Sequence, residues 1–402
     1  MNDVTDTRSL AAVRRELRGH SRSDARGFTL TEVMVALMIG TIVTLTAFSV
    51  LYSSQQMQSI NEQTTQTQQN ARVAMELIAT DLKDAGFNSQ ALAPPGIGIA
   101  GATGTCGING ILPGDNNTAG NDTGPDRVSM IVPTLLSTLL TPITGAAPTT
   151  DVVLQNGAVA AAGTDGFLVA PYDLPNPVIS IAGFHIGTVS TTSTDTLRLS
   201  AQVKLPKEAV MPAGTQVYWL KCVMYKVIHA SSNAATEQPL CGGALPCLVR
   251  GTPPCTVGQV GPACVAVVDG IEDLQFSYAC DGCVGTEDTV IDDQAGGTAG
   301  AFDVNDFMSN NAWNSGAFLP KTIRMVQVSV VARQVRARMK GEDVSKATAL
   351  VTGAPLVVQD HNHADGVFAA GDLGTPDAQL AYAQQQRRVL TRTVQLKNMG
   401  LF

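Results

Sequence analysis

Two cysteines in the second half of the chain have a spacing that can support redox or metal chemistry. Cys280 and Cys283 enclose Asp-Gly, a pattern found in redox pairs, in half zinc sites and in tight structural disulfides. A redox pair needs a helix N-terminus, whereas this one follows a strand-like segment ending in Phe-Ser-Tyr-Ala. A zinc site needs a second pair at finger-like spacing, which Cys255 and Cys264 do not match. Disulfide use is therefore favoured, with partners that the spacing leaves open.

A polar stretch at residues 360–366 is the nearest approach to a transition-metal cluster. It reads Asp-His-Asn-His-Ala-Asp-Gly and holds two of the five histidines of the chain. Since no further histidine lies nearby, an exposed polar loop is favoured over a metal site. The sequence also lacks Gly-x-Ser-x-Gly, His-Glu-x-x-His and phosphate-binding glycine motifs. We therefore predict no enzyme, no cofactor, no bound metal and no small-molecule substrate.

The chain contains eight cysteines, all of which follow its most apolar segment. Outside the cytosol, an even number of cysteines is typical of a disulfide framework, here of up to four bridges. The disulfide candidates are Cys106, Cys222, Cys241, Cys247, Cys255, Cys264, Cys280 and Cys283.

Residues 28–52 form an apolar run in which Glu32 is the only charged residue. As a helix, this run is long enough to cross a hydrocarbon core of roughly 30 Å. All six arginines of residues 1–27 precede it, and no Lys or Arg follows until Arg72. The positive-inside rule then places the N-terminus in the cytoplasm and exports everything beyond Tyr52. Hydropathy alone favours an uncleaved signal anchor.

The junction between the charged leader and the apolar run carries a more specific pattern. Gly27 precedes Phe28, and Glu32 follows within Arg-Gly-Phe-Thr-Leu-Thr-Glu. This pattern resembles the signal of type IV prepilins, which implies cleavage between Gly27 and Phe28 and methylation of the new N-terminal Phe28. A carboxylate within a membrane costs several kcal/mol unless it is paired or lies near an interface. The resemblance implies that Glu32 pairs with the N-terminal amine of a neighbouring subunit.

Residues 53–86 are predicted to continue the apolar run as one helix, because they contain no Pro and no Gly before Gly86. Apolar and neutral residues, among them Ile60, Ile78 and Leu82, recur every three or four positions. They form a face that can pack on a globular body. A coiled-coil stalk is less favoured, since its a and d residues would be only weakly apolar.

The rest of the chain is predicted to be a β-rich head. Residues 87–126 are rich in Gly, Pro, Asn and Asp and predict a long irregular connection. The segments beyond it indicate an antiparallel sheet packed on the helix, and hence an α+β fold with long, disulfide-linked loops. The predicted strands are Arg127–Val132, Asp151–Leu154, Thr196–Leu199, Gln216–Ile228, Val265–Ala279, Ile323–Arg333 and Val389–Leu396.

The net charge of −8 argues against general nucleic-acid binding. Ten of the 26 basic residues nevertheless lie in the last two strand regions. A solvated sheet face is favoured over a DNA-capturing patch, because few aromatic residues accompany these side chains. The ten are Lys321, Arg324, Arg333, Arg336, Arg338, Lys340, Arg387, Arg388, Arg392 and Lys397.

Four segments narrow the resemblance to one kind of pilin. Residues 70–87 and 269–278 look like the corresponding parts of PilW-type minor pilins. The closing segments 325–333 and 387–398 are similar in kind and order to the last strands of that family. The expected fold is therefore pilin-like, with a long N-terminal helix packed on the head.

The resemblance implies a removed cytoplasmic leader (1–27), a transmembrane helix half (28–52), an amphipathic helix half (53–86) and a periplasmic head (87–402). It implies an inner-membrane protein that later reaches the pilus and the cell surface. Its partners would be the prepilin peptidase/methyltransferase, other minor pilins and the major pilin. Its role would be to prime pilus assembly in support of adhesion, twitching motility or DNA uptake. The alternatives are a J-like pseudopilin of type II secretion and an anchored adhesin or ligand-binding module.

Overall fold

The structure of the chain, a computed structural model, contains one long helix and sixteen β-strands within the residues that it describes. Those residues are 27–87, 111–114, 125–155, 178–228, 238–241, 246–252, 255, 264–281, 291, 302, 306–308, 322–334, 357–358, 361–362 and 387–398.

Helix α1 runs from Leu30 to Asp84, which confirms the predicted long helix. It ends where Gly86 adopts a positive φ of 72°, a conformation that glycine reaches without steric penalty. The residues of α1 belong to two compact units, one ending at Glu62 and one beginning at Gln63. In the second unit one face of the helix is buried, through Thr67, Ala71, Ala74, Met75, Ile78, Ala79 and Leu82.

The head is built from short and medium strands, all paired antiparallel. The strands are β1 (Ile111–Gly114), β2 (Arg127–Thr138), β3 (Ile143–Thr144), β4 (Thr149–Val153), β5 (Val178–Ile181), β6 (His185–Thr192), β7 (Thr196–Val203), β8 (Val210–Met211), β9 (Gln216–Ile228), β10 (Cys247–Gly251), β11 (Val265–Asp269), β12 (Ile271–Cys280), β13 (Ile323–Arg333), β14 (Val357–Val358), β15 (His361–Asn362) and β16 (Arg387–Gln395).

The largest sheet has the strand order β1-β2-β9-β5-β6-β7-β4. Strand β9 is long enough to pair with β2 along one edge and with both β5 and β10 along the other, and β11 extends the sheet from β10. A second sheet has the order β12-β13-β16, and two small ribbons pair β3 with β8 and β14 with β15. Together with α1 this confirms the α+β, pilin-like fold class.

The main core joins the buried face of α1 to both large sheets. Ala74, Ile78 and Leu82 have no exposed surface and belong to one cluster with Tyr225 of β9 and Phe276 of β12. Fully burying a side chain such as Ile or Leu stabilises a fold by about 1.5–3 kcal/mol. The second half of α1 is therefore a structural part of the head.

A separate core cluster, which contains no residue of α1, lies mainly among strands β4, β5, β6 and β7 and the start of β9. It includes Leu139, Val152, Ile179, Leu197 and Val217, all without exposed surface. The head therefore buries apolar residues in more than one place, and only the main cluster depends on the helix.

One segment that was predicted to be a single strand forms two strands in the structure. The run Val265–Ala279 was expected to be continuous, but it divides at Gly270, which has a φ of 73°. The two pieces, β11 and β12, belong to different sheets. A glycine inside an apolar, β-prone run can therefore end one strand and redirect the chain into another sheet.

The predicted irregular connection 87–126 contains β1, which pairs with β2. The predicted polar loop 360–366 includes β15, which pairs with β14, so His361 and Asn362 lie in a ribbon rather than a loop. Strands β5, β6 and β10 were not predicted.

Candidate assembly and processing site

The peptide that joins Gly27 to Phe28 lies on the surface. Gly27 is exposed, and a β-carbon added to it would have no heavy atom within 4 Å. The Phe28 side chain is 86% exposed. Among the described residues nothing blocks the approach of a peptidase to this peptide, and the backbone is least hindered at glycine.

The first turn of α1 is closed by a reciprocal hydrogen-bond pair between Thr29 and Glu32. The backbone N–H and the hydroxyl of Thr29 both donate to Oε2 of Glu32, each at 2.9 Å. The Glu32 N–H donates in return to the Thr29 hydroxyl at 3.3 Å. This is a capping box, which satisfies N–H groups that have no partner at the start of a helix. The other carboxylate oxygen, Oε1, makes no hydrogen bond within the described part of the chain.

Residues 28–52 are exposed along their whole length. Within the described residues, α1 is the one helix that is long and apolar enough to cross a membrane. Its hydroxyl groups are satisfied inside the helix, since Thr41 donates to the Met38 carbonyl at 2.8 Å and Thr44 to the Gly40 carbonyl at 2.6 Å. A helix with its polar groups satisfied internally suits a bilayer, where no water can replace the missing partners.

One face of this segment forms a shallow groove of about 830 Å³. Glu32, Ala36, Gly40 and Thr44 follow one another along it at intervals of four residues. Small residues at this spacing allow another helix to approach closely. Glu32 therefore lies at the N-terminal end of a helix face with room for a neighbour.

Within the second unit, Asp81 links α1 to the larger sheet. Its Oδ2 accepts a hydrogen bond from the Tyr225 hydroxyl at 2.6 Å and from Arg250 Nε at 2.8 Å. Burial, followed by the negative charge of Asp81 and the hydrogen bond to it, raises the pKa of Tyr225 above its ordinary value. This anchor was not predicted, because nothing in the sequence pairs residues so far apart.

Four of the ten basic residues that were considered as a patch form ion pairs within the fold. Arg324 pairs with Asp281 at 3.3 Å, and both side chains are buried. Glu272 binds two arginines, Arg333 at 3.5 Å and Arg387 at 2.5 Å.

One further arginine of this set, Arg392, pairs with Glu76 of α1 at 2.8 Å. The interpretation of the whole set as one solvated face was therefore wrong for Arg324, Arg333 and Arg387, whereas Arg392 keeps 39% of its side chain exposed. Arg388 and Lys397 are exposed. Lys321, Arg336, Arg338 and Lys340 lie outside the described residues.

Six of the eight cysteines lie in the described part of the chain, and all six are in disulfides. Cys241 is bonded to Cys247 and Cys255 to Cys264. Cys222 and Cys280 are also disulfide-bonded. The two remaining candidates, Cys106 and Cys283, lie outside the described residues. The predicted use of cysteines in disulfides is thus confirmed wherever the structure describes them.

Two family models match the sequence. The description "Prokaryotic N-terminal methylation motif" matches residues 22–48, which include Gly27, Phe28 and Glu32. The description "Type IV Pilus-assembly protein W" matches residues 231–398, which contain strands β10 to β16. Together these matches support a PilW-family type IV pilin. No curated protein and no solved structure matches the sequence.

The two matches cover different parts of the chain. One covers the junction and the start of the apolar helix, and the other covers the disulfide-linked strands and the whole of the sheet β12-β13-β16. The families concern pilus assembly and terminal methylation, and neither describes catalysis. As a membrane-anchored pilus component, the chain interacts with the pilus-assembly machinery and, through its motif, with a prepilin peptidase.

Proposed function

We propose that the chain is a minor pilin that is cleaved between Gly27 and Phe28, methylated on Phe28 and incorporated into type IV pili. The observation that carries this proposal is the exposed Gly27–Phe28 peptide, which directly precedes a fully exposed apolar helix segment. Cleavage there would release the charged leader and leave the apolar segment as the N-terminus of the mature chain.

The proposed topology follows from charge and cysteine chemistry. Residues 1–27 are the cytoplasmic leader, 28–52 cross the inner membrane, 53–86 are the amphipathic half of the helix, and 87–402 are the periplasmic head. The arginines before the span favour a cytoplasmic N-terminus. The disulfides of the head are typical of an oxidising compartment such as the periplasm.

Glu32 is proposed to guide assembly. Its Oε2 is held by Thr29, while the carboxylate keeps a negative charge and a second oxygen for an external cation. The N-terminal amine created by cleavage, on Phe28 of a neighbouring subunit, is a cation of suitable size. An ion pair in the bilayer would offset the cost of placing the carboxylate there, and so would favour subunits in register.

The role within the pilus is proposed to be the priming of assembly together with other minor pilins, in support of adhesion, twitching motility or DNA uptake. The match to a pilus-assembly family over residues 231–398 favours this role over a J-like pseudopilin of type II secretion.

Intact-mass measurement of the protein purified from membranes tests the processing step. The expected species begins at Phe28 and carries one added methyl group. Gly27→Val serves as the comparison, because a branched side chain would obstruct the peptidase at the junction, and this variant should keep residues 1–27. A wild-type chain that is full-length and unmethylated would refute the proposal.

A further inference from the structure

The sheet β12-β13-β16 has two outer edges, and one of them is closed. At the β12 edge, the Asp126 N–H donates to the Leu274 carbonyl at 2.8 Å, and the Asp126 carboxylate accepts from the Phe276 N–H at 2.9 Å. Further along, Tyr278 and Met308 exchange two backbone hydrogen bonds at 2.8 and 2.9 Å. Partners from outside the sheet thus satisfy this edge.

The other edge, formed by β16, pairs with no strand in the described part of the chain, and we call it the open edge. The Leu396 N–H donates to the Arg324 carbonyl at 2.9 Å, and the register runs without a shift from Met325↔Gln395 to Arg333↔Arg387. Antiparallel pairing alternates, so the even-numbered residues of β16 bond to β13 and the odd-numbered ones point their N–H and C=O groups outward. The outward residues Val389, Thr391, Thr393 and Gln395 make no backbone hydrogen bond in the described part of the chain.

Natural sheets usually protect such an edge. Common devices are a proline, a bulge, a very short strand, a covering element or charged side chains, and of these β16 has only the charges of its arginines. Strand β16 has nine residues, no proline and no bulge. Of the odd-numbered residues that form its outward backbone row, only Arg387 is charged, and Arg387 is paired with Glu272. An edge of this length and regularity is a template for another extended chain.

A groove runs beside the open edge, between β16 and the second-unit part of α1. It has a volume of about 540 Å³ and is lined by Val73, Glu76, Leu390 and Thr391 among others. Val73, in this lining, is 50% exposed. Alternate side chains of an added strand would find apolar surface there, while its backbone bonds to the edge.

The charges around this edge select among possible strands. Arg72, Arg388 and Lys397 are exposed and make no ion pair with any described residue, whereas Arg392 is paired with Glu76. The surplus of positive charge would repel a second copy of β16, because like charges would face each other across the new pair. It would attract a strand with carboxylate side chains.

We propose that the open edge of β16 is a docking site for an extended, acidic segment of a different pilus subunit, which adds a strand to the sheet β12-β13-β16. The pilus setting rests on the proposed function, while the edge and its charge are properties of the head itself.

Amide hydrogen exchange at single-residue resolution tests the proposal. The mature, full-length protein in detergent is compared with the same protein recovered from sheared pili. In detergent, the odd-numbered amides of β16 should exchange fast and the even-numbered ones slowly. In pili, the amides of Thr391, Thr393 and Gln395 should slow by about tenfold or more, as expected for amides that enter a sheet ladder.

A proline variant tests the same edge by a different route. Thr393→Pro removes an outward N–H but no bond to β13, so the head should keep its unfolding transition. Its recovery in pili should fall by about tenfold if the edge contact is required. Thr393→Val keeps the N–H and is the matched control, with recovery like that of the wild type.

Charge reversal tests the chemistry of the partner strand. Arg388→Glu should lower recovery in pili by about threefold, a size typical of a partly exposed charge at an interface. Arg388→Lys keeps the charge and should recover normally.

Each other outcome overturns the proposal in a distinct way. Odd-numbered amides that stay fast in pili would show that nothing adds to the edge. Slow exchange of these amides in dilute detergent would show that the chain covers its own edge, and slowing that grows with protein concentration would show pairing between copies. Absence of the wild-type protein from pili would overturn the proposed function and, with it, the pilus partner.

Discussion

At the level of single residues, Asp81 makes the polar contact that fastens α1 to the larger sheet. The Tyr225 hydroxyl that it binds belongs to a side chain with no exposed surface. The Arg250 side chain is 37% exposed, so solvent weakens its ion pair with Asp81. Most of the stability that this anchor contributes should therefore come from the hydrogen bond of the buried hydroxyl rather than from the ion pair.

Replacement of Asp81 tests the anchor. Asp81→Ala would leave the buried Tyr225 hydroxyl without its acceptor and should lower the free energy of unfolding by about 1–3 kcal/mol. Tyr225→Phe removes the hydroxyl itself and should cost only about 1 kcal/mol. Denaturant unfolding of the full-length protein in detergent measures both, with Asp84→Ala, an exposed carboxylate of the same helix, as the control. Equal stability of Asp81→Ala and the wild type would contradict the role of the anchor.

The anchor also predicts a pH dependence. The pKa of Tyr225 is higher in the folded protein than its ordinary value of 10.0, so the folded state favours the neutral hydroxyl. A raised pKa gives stability that is complete below pH 10 or so and is lost as the pH rises through the folded value. The stability difference between the wild type and Tyr225→Phe should therefore be constant up to about pH 9 and shrink above pH 10. A difference that grew with pH would contradict this assignment.

Glu32 caps α1 and is proposed to pair with a neighbouring subunit, and two substitutions can separate these roles. Glu32→Gln keeps an oxygen that can accept from Thr29 but removes the charge, whereas Glu32→Ala removes both. If the charge pairs with the amine of a neighbouring Phe28, both variants should be incorporated into pili at about a tenth of the wild-type level or less, as expected when a membrane ion pair is lost. Immunoblots of sheared pili and of membranes measure this ratio. Normal incorporation of Glu32→Gln would leave capping as the only role of Glu32.

At the level of elements, periodicity and turn residues predicted the long elements well. The helix was expected over 28–86 and runs from Leu30 to Asp84, and β9 and β13 have the predicted bounds. These elements are long and apolar, so their pattern dominates over local context.

The shorter strands could not be predicted in the same way. Strand β5 has four residues and follows directly on a Pro-Asn-Pro segment, which masks its strand character. Strand β2 was predicted to end at Val132 but continues through Pro133 to Thr138. Strand β1 pairs only with Arg127 to Met130 of β2. On that side of β2, no paired strand needs a hydrogen bond from the backbone N–H that Pro133 lacks.

The candidate site also has a part that the sequence predicts and a part that it does not. The junction from Gly27 to Glu32 is local in sequence, and its motif could be recognised from residue types alone. The anchor at Asp81 and the pairing of Glu272 with two arginines join distant segments. Such contacts depend on strand order and register, which a single sequence does not specify.

The two disulfides that close short loops stabilise one corner of the larger sheet. Cys247 begins β10, and Cys255 and Cys264 lie between β10 and β11, with all three buried beside Met224. By the loop-closure relation, loss of the Cys255–Cys264 bond should cost about 2–3 kcal/mol. Cys255→Ala/Cys264→Ala, unfolded in denaturant as the full-length protein in detergent, measures this cost. The Cys241–Cys247 bond closes a loop of similar length, so the double variant Cys241→Ala/Cys247→Ala should lose a similar amount of stability.

At the level of the whole molecule, α1 serves two different environments. Up to Glu62 its side chains are mostly exposed, and the buried residues begin at Thr67. The boundary between the compact units lies between these positions, at Glu62 and Gln63. One continuous helix thus supplies an apolar segment for the membrane and a core element for the head.

This division predicts how the chain tolerates truncation. A protein of residues 63–402, exported to an oxidising compartment, should be soluble and should unfold cooperatively, because it keeps every buried residue of α1. A protein of residues 88–402 loses Met75, Ile78 and Leu82, each worth about 1.5–3 kcal/mol on burial, together with the Asp81 anchor. Since domains of this size are stable by only about 5–15 kcal/mol, the shorter protein should aggregate or lack a cooperative thermal transition. Circular dichroism during heating and size-exclusion chromatography compare the two, and equal melting temperatures would show that the head does not depend on the helix.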